Sequence, residues 1–538
     1  MYKLIALLAG ALFWAQVDAF NFLVLHPLHS GSHEVQLRYL SGALAARGHQ
    51  ITYLKFKNFV QLPPPQHDNI TFITLAVDNS LGDVPFITPE KEGRFMLPLD
   101  VMWRNGLSPW GVPLDAFWTM PPYCDTLLSD KGLRRRLRRS HFDVALVDLF
   151  TNECGLALAH SLGLPSVAYW ALPMNGGEAT FSSGISNPSG AVPSFMTSFT
   201  DRMNFVRRGV NLFYATMNYL VMQFQFFLTD RSIQKHLPGA PSSQQLIANL
   251  SGLLENTDFS VDYPREYPPN VINVGCMQCR EIQPLPMDLE KFMSESGEAG
   301  VILFSMGATF DASIAPPELL QKMLTAFSRL RQRVIMKISG ALPKKLAIPV
   351  NVRIERWLPQ QDVLGHPKTR VFFTHCGLHG AMETIWHGVP AVTLPVYGDQ
   401  ADVSNLLVER GVAVRVYKES SAEQILAALK MVLENPSFSR RAAELQRLMR
   451  DQVSSPLDRA IWFVEHVART KGAEHLKLAS RTLSSVQTHN VDVVVAAVLL
   501  LAALLRWRNA IVRLLGQGVR ACGRRALSSR VLVDKKSR

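Results

Sequence analysis

Two stretches of the chain repeat one unit, a short apolar run followed by a turn and an amphipathic helix, and that repetition restricts the fold more than any other feature. NFLVLH (21–26) is the first apolar run, PLHSGS the turn, and EVQLRYLSGALAARG (34–48) reads as a helix with Leu37, Leu40 and Leu44 on one face and Gly48 at its stop. ITYLKF (51–56) follows as the next strand. FDVALVDLF (142–150) opens a second unit, which passes through TNEC into the helical GLALAHSLG and the strand PSVAYWAL. The pattern resumes with VILFSMG (301–307), a helix over 316–332, and the strands VIMKIS, VRIERW, VFFTHCG and AVTLPV. Strands that are apolar throughout and alternate with helices belong in parallel sheets covered on both faces. DYPREYPPNVINVGCMQCREIQPLPM (262–287), rich in proline and without periodicity, separates the two runs and reads as a linker. The expected fold class is α/β, in two halves with one hinge.

At 538 residues and 47% hydrophobic content the chain can bury more than one core, which excludes disordered and fibrous classes. The formal charge of +12 points to a polyanion only until it is located. Residues 506–538 hold ten Lys/Arg against the single acid Asp534, so nine of the twelve charges sit in that tail and nucleic acid is not an expected partner. MYKLIALLAGALFWAQVDAF, with Lys3, an apolar run and small residues to Ala19, predicts a secretory signal peptide. VVVAAVLLLAALL (493–505) is only 13 residues, short of the roughly 20 that span a bilayer. Extending it over Val491–Leu515 restores the length if Arg506, Arg508 and Arg513 snorkel and Trp507 lies among the headgroups. The basic tail then places the N-terminal side in the lumen and the end in the cytosol; a helix lying on the membrane surface is the alternative. The final KKSR resembles the cytosolic dilysine signal of resident endoplasmic-reticulum proteins. Asn69-Ile-Thr71 and Asn249-Leu-Ser251 are glycosylation sequons that suit a luminal chain.

Six scattered cysteines do not make a disulfide scaffold, and Cys276-Met-Gln-Cys279 is a lone CxxC without the second pair a zinc site needs. LRRRLRR (133–139) reads as a solvated helix face. GVNLFYATMNYLVMQFQFFL (209–228) has no charge, yet Asn211, Asn218, Gln223 and Gln225 interrupt it, which fits a buried or membrane-facing helix better than a second span.

THCGLHGAMETIWHGVPAVTLPVYGDQ (374–400) concentrates the chemistry. Strand VFFT runs through the glycine turn HCGLHG into a helix, and a helix start reached through glycines offers unpaired N–H groups and partial positive charge to an anion. A metal on His375, Cys376 and His379, with Glu383 one turn on, is the competing reading. It leaves Trp357-Leu-Pro-Gln360 and Asp399-Gln400 without a purpose.

WLPQQDVLGHPKTRVFFTHCGLHGAMETIWHGVPAVTLPVYGDQ (357–400) resembles the signature of the UDP-glycosyltransferases, in particular the animal membrane-bound UDP-glucuronosyltransferase/UDP-glucosyltransferase group. The similarity extends to 258–307 and 455–477 and covers nearly all of the mature chain. It implies two Rossmann-like domains facing across a cleft (GT-B type) plus a C-terminal transmembrane helix. The implied boundaries are a signal peptide over 1–19, an acceptor-binding domain over 20–262, a linker over 263–298 and a UDP-sugar-binding domain over 299–455. Returning helices (456–490), a span (491–515) and a basic cytosolic tail (516–538) complete the chain. On the resemblance, Trp357 stacks on uracil, Gln360 helps hold the uridine, and Glu383 accepts from the ribose hydroxyls. His375, with the backbone of Gly377, His379 and Gly380, meets the diphosphate; Ser305 and Gly307 line the same pocket; Lys337 adds positive charge; Asp399 and Gln400 read the sugar hydroxyls.

The resemblance also implies that His33, in HSGSHE, deprotonates the acceptor hydroxyl while Asp148, in ALVDLF, steadies the imidazolium. Both fall at carboxyl ends of predicted parallel strands, where such sheets bind ligands, and an imidazole with its ordinary pKa of about 6.5 can cycle a proton near neutrality. His26 and His29 are rivals in the same loop that fall outside the Gly-Ser-His match. The implied reaction is inverting transfer of glucuronic acid or glucose from a UDP-sugar to a small lipophilic acceptor in the endoplasmic-reticulum membrane. UDP-sugar is a co-substrate, no metal or other cofactor is expected, membrane lipid is a partner and a homo-oligomer stays open. An inactive membrane-tethered binder of lipophilic ligands is the alternative. Ala401-Asp402-Val403 and Ala308 depart from the family pattern, and Cys376 stands where glycine is frequent.

Overall fold

The computed structural model describes residues 19–26, 31–56, 67–75, 103, 120–173, 184–307, 311–343, 346–488 and 490–534. His29, Ala308 and the expected signal peptide up to residue 18 lie outside these residues, as does the KKSR end. Contacts divide the chain into Met1–Lys477 and Leu478–Arg538.

The first unit contains two sheets. β1 (Asn21–His26), β2 (Gln50–Phe56), β3 (Ile70–Leu75), β4 (Val144–Asp148), β5 (Ser166–Trp170), β6 (Gly252–Glu255) and β7 (Val271–Asn273) form a sheet of order β3-β2-β1-β4-β5-β6-β7. β8 (Val301–Ser305), β9 (Arg333–Lys337), β10 (Val352–Glu355), β11 (Thr369–Thr374), β12 (Ala391–Thr393) and β13 (Ala413–Arg415) form another, of order β10-β9-β8-β11-β12-β13. Every pairing is parallel. In each sheet the strand order reverses once, at β1/β4 and at β8/β11, and such a reversal opens a crevice at the carboxyl edge.

Both faces of each sheet are buried, which is why the strands read as unbroken apolar runs. In the first, Leu23, Leu25, Ala145 and Val147 pack under the helices Met120–Ser129, Glu153–Ser161 and Phe205–His236, while Phe22, Val24, Val144 and Leu146 face the helix Gly31–Ala46 and the returning helix Pro456–Arg469. Cys124 and Cys154 form a disulfide between the first two of these helices, and Cys276 pairs with Cys279. Val271–Asn273, inside the expected linker, is instead the seventh strand, since β6 offers it an edge to pair with. Three residues beside Pro268 and Pro269 are too few for a periodic signal. The helix Lys131–Arg139 buries Leu133 and Leu137 and turns Arg135, Arg136, Arg138 and Arg139 to solvent, as the solvated-face reading requires. Residues 209–228 lie within Phe205–His236, with Met222, Gln225 and Phe226 buried and Leu212, Phe213, Leu220 and Phe227 exposed.

One buried carboxyl has a stability consequence. Glu255, 0% exposed at the end of β6, is pushed up to about 8 by burial and then by the charge of Asp262, and its Oε1 accepts from the Tyr267 hydroxyl at 3.0 Å. With the folded value above the ordinary one, the native state holds the proton that the unfolded chain releases. Stability is therefore fully present below about pH 4.5 and declines up to about pH 8, by at most ~1.4 kcal/mol per pH unit. Glu255→Gln should match the wild type in chemical denaturation at pH 4.5 and become the more stable protein as pH rises. A constant difference across that window would mean that Glu255 does not titrate there.

The second unit is dominated by one helix, Val491–Asp534. Among the described residues no helix is long and apolar enough to cross a membrane. The expected span at 491–515 lies within this helix, but Asp492, Arg506, Arg508 and Arg513 confine its uninterrupted apolar run to 493–505, so the helix by itself does not support the transmembrane element.

Candidate active site

The register at each switch point decides which side chains meet. Leu25 pairs with Val147, so the next residues, His26 and Asp148, leave β1 and β4 side by side. The helix Gly31–Ala46 begins just beyond and brings in His33, whose Nδ1 lies 3.1 Å from both Asp148 oxygens. His26 Nδ1 lies 3.0 Å from Asp148 Oδ2. All three side chains are buried, and Phe150 packs edge-on against His33 at 5.6 Å. Burial by itself would raise the Asp148 carboxyl, but the His33 charge and the hydrogen bonds from both imidazoles outweigh it and hold Asp148 well below the usual carboxylate range. Asn152 braces the edge: its amide donates to Asp148 O at 2.8 Å and Leu25 O at 3.3 Å, and its Oδ1 caps the next helix at Gly155 N.

In the second sheet Thr374 pairs with Ser305, which sets the turns after β11 and β8 against each other. The His375 ring is wedged between Gly307 and Gly377. A Cβ on Gly307 would lie 2.6 Å from its Cε1, and one on Gly377 2.7 Å from its Nε2, so both positions require glycine. Burial and then the Lys337 charge push His375 down to about 3, so it is a neutral imidazole. Ser305 is fully buried and accepts from Gly307 N at 3.3 Å, and so acts on the turn from behind. Lys337 donates to Gly307 O at 2.8 Å and holds its ammonium 4.9 Å from the Trp357 ring centroid. Burial lowers Lys337, against the pull of Asp311 and Glu383. Trp357 is 61% exposed, a large open aromatic face beside the buried turns.

Glu383, buried on the helix Leu378–Trp386, accepts from Gln360 Nε2 at 2.7 Å and from Gln278 Nε2 at 3.1 Å. Burial raises its carboxyl, and the two glutamine donors oppose that. Gln278 was not a sequence candidate, and its place inside the CxxC was the only hint. The segment carrying it is fastened to the helix Gln360–Gly365: Arg280 forms a two-pronged ion pair with Asp362 at 2.7 and 2.8 Å, and Gln361 donates to Gln278 O at 3.0 Å. Part of the expected linker therefore belongs to the site.

His379 and Gly380 fall in the first turn of the helix Leu378–Trp386. The His379 side chain reaches the other sheet, with Nε2 at 3.2 Å from Tyr169 Oη and 3.3 Å from Asn256 Nδ2, and burial, then the charge of His33, push it down to about 3. A Cβ on Gly380 would make only ordinary van der Waals contacts, with Phe372 at 3.7 Å and Thr374 at 3.8 Å, so a methyl group fits there. Among the described residues no three of His, Cys, Asp and Glu converge as a metal-binding group. Cys376 sits at φ +66°, a backbone angle that favours glycine, and is buried.

Asp399 occupies the N-cap of the helix Gln400–Glu409 without making a capping hydrogen bond, and burial followed by the Asp402 charge pushes it up to about 7. Gln400 spends its carbonyl oxygen on Val396 N at 2.8 Å and Tyr397 N at 3.1 Å. Asp402, a departure noted in the sequence, accepts from Met196 N and Ser198 N, each at 2.7 Å, and so ties a loop of the first half to the second. Of the expected sequons, Asn249 is exposed, whereas Asn69 is half-buried with its amide 3.4 Å from Ala45 O.

Two parallel sheets, each with a switch point at its carboxyl edge, make up the GT-B fold, and solved structures share it. The calicheamicin glycosyltransferase CalG4 superposes with a TM-score of 0.56 at 17% identity, covering 84% of this chain and 99% of that one. A UDP-glucosyltransferase from Polygonum tinctorium does so with a TM-score of 0.56 at 17% identity over 85% and 100%. Residues 23–524 match the family model described as UDP-glucoronosyl and UDP-glucosyl transferase, and the chain belongs to that family. Curated relatives include UDP-glucuronosyltransferase 2B1 of Rattus norvegicus, 32% identical over 86% of this chain and 87% of the relative, and UDP-glucuronosyltransferase 2B10 of Homo sapiens, 32% identical over 84% and 85%. The protein is a UDP-glycosyltransferase, an enzyme that uses a UDP-sugar donor.

Proposed function

We propose that this enzyme transfers glucuronic acid or glucose from the UDP-sugar to a hydroxyl of a small lipophilic acceptor with inversion, with His33 as general base and Asp148 as its partner. The observation that carries the reading is the His33–Asp148 contact at the carboxyl edge of the first sheet. A carboxylate only accepts hydrogen bonds, so the His33 Nδ1 bonded to it carries the hydrogen and Nε2 keeps the lone pair that takes the acceptor's proton. The oxygen then attacks the anomeric carbon from the face opposite the phosphate, and UDP leaves. Trp357 suits a uracil face, and Glu383, held by two amides, suits the ribose diol. The start of the helix Leu378–Trp386 offers backbone N–H groups to the diphosphate. Asp399 and the amide end of Gln400 are left for sugar hydroxyls.

Incubating the full chain in membranes with a panel of UDP-sugars and a simple phenol, with and without chelator, tests this. UDP release with UDP-glucuronate or UDP-glucose, undiminished by chelator, is expected. No release with any sugar, despite UDP binding, would leave only a binding protein. Gly380→Ala is expected to fold at least as stably as the wild type, alanine being better than glycine in a helix by up to ~1 kcal/mol. It should nevertheless weaken UDP about tenfold or more, because a methyl group would stand where backbone and phosphate meet. Unchanged UDP affinity in calorimetry would remove the diphosphate from that turn.

The reading includes a luminal, endoplasmic-reticulum membrane placement, supported by the apolar run 493–505 if its flanking arginines snorkel. Alkaline extraction of membranes should leave the chain in the pellet. Release into the supernatant would exclude a span.

A further inference from the structure

Asp148 is shared by two histidines. We propose that His26 is a positioning residue for the transfer: its imidazole holds the Asp148 carboxylate in the orientation His33 needs and sets the pH range over which His33 works. The inference rests on the His33–Asp148 reading above, and the experiment below separates the two.

The hydrogen-bond chemistry assigns different tasks to the two rings. Asp148 accepts at Oδ2 from His26 Nδ1 (3.0 Å), at both oxygens from His33 Nδ1 (3.1 Å), and at Oδ1 from Phe150 N (3.4 Å). Each imidazole therefore carries its hydrogen on Nδ1 and its lone pair on Nε2. His26 is 2% exposed, and its Nε2 is buried with no hydrogen-bond partner among the described residues. A proton placed there would sit on an N–H in a dry position with nothing to accept it, which is costly. No acceptor hydroxyl can reach that atom either. His26 is thus a fixed donor to Asp148, not a second base.

The consequence runs through the carboxylate. A lone pair of Asp148 engaged by His26 is not available to the imidazolium that forms on His33 during transfer, and the same bond stops the carboxylate from rotating. Among the described residues, the charged and titratable neighbours do not replace this contact. Glu34, on the helix Gly31–Ala46, is the carboxylate whose charge acts on His26, and it is held by Lys55 Nζ at 2.6 Å and Arg38 Nη2 at 2.5 Å. Tyr53 of β2 lies edge-on with ring centroids 6.3 Å apart; it, Tyr123 and Tyr169, the last two facing Asp148, are kept neutral by burial. His379, across the cleft, interacts with both Asp148 and His33 and is itself neutral, while Asp399, whose carboxyl burial and the Asp402 charge push up to about 7, also interacts with His33.

The test uses the full chain in membranes, with kcat and KM for donor and acceptor followed from pH 5 to 9, alongside UDP affinity and thermal stability. His26→Phe should lower kcat about tenfold with the donor KM unchanged, and move the acid limb of kcat/KM about one pH unit upward, as Asp148 turns wholly to His33. His26→Asn, whose amide can still donate to Asp148, should restore most of kcat and the original limb. A His26→Phe enzyme within twofold of wild type, with an unmoved limb, would overturn the proposal. So would a His26→Asn enzyme as impaired and as thermally weakened as His26→Phe, since that pattern marks packing alone. If His33→Ala retains activity that His26→Phe then removes, the base itself is His26 and the parent reading fails instead.

Discussion

His33→Ala is expected to lower kcat by about 10³–10⁴ while leaving UDP affinity within about twofold of wild type, since positioned general-base assistance is worth on the order of 10²–10⁴ and no other histidine among the described residues near Asp148 can take over. His26 cannot substitute, because its Nε2 is enclosed, and His379 is committed to Tyr169 and Asn256. Asp148→Asn should lose about 10²–10⁴ in kcat as well, because the amide carries no charge to steady the imidazolium and replaces one accepting oxygen with an NH2 donor, which leaves the His33 tautomer unspecified. Both variants keep the second sheet intact, so calorimetric titration with UDP is the control. A His33→Ala enzyme with more than about a tenth of wild-type kcat would show that another group takes the proton. Loss of UDP binding together with kcat would assign His33 a role in folding.

Glu383→Ala should weaken UDP by about 30- to 1,000-fold, or ~2–4 kcal/mol, with a much smaller loss for the corresponding Gln. Two effects add. The carboxylate is removed from the ribose diol, and the amides of Gln278 and Gln360, which it receives at 3.1 and 2.7 Å, lose their acceptor. Gln278→Leu should then reproduce part of the loss although Gln278 stands 105 residues away in sequence, because it orients the same carboxylate from the opposite side. Equal UDP affinity of wild type and Glu383→Ala would take the nucleotide away from this helix, and with it the roles given to Trp357 and Gln360.

The second-sheet candidates were readable because they are close in sequence. Trp357, Gln360, His375, Gly377, Gly380, Glu383, Asp399 and Gln400 lie within residues 357–400, on consecutive short elements and the turns between them, where spacing narrows the possible neighbours. Even there the structure adds contacts that spacing does not reveal. Ser305 supports Gly307 from inside the core, Lys337 braces a carbonyl and an indole, and the His379 ring serves the interface between the halves. Gln278, Asn152, Tyr169 and Asn256 escaped notice because polar residues in loops and at strand ends carry no periodic signature.

Alternation of apolar runs with helices determined by itself that the chain would build two parallel sheets, because both-face burial and helical periodicity are local properties of the covalent order. It could not decide that two imidazoles, 122 and 115 residues from Asp148, would converge on one carboxylate. That outcome depends on the register between β1 and β4 and on where the next helix begins, which long-range packing sets only after the elements exist. The length of the apolar run at 493–505 was likewise fully visible in the sequence, and forming a continuous helix around it did not make it longer.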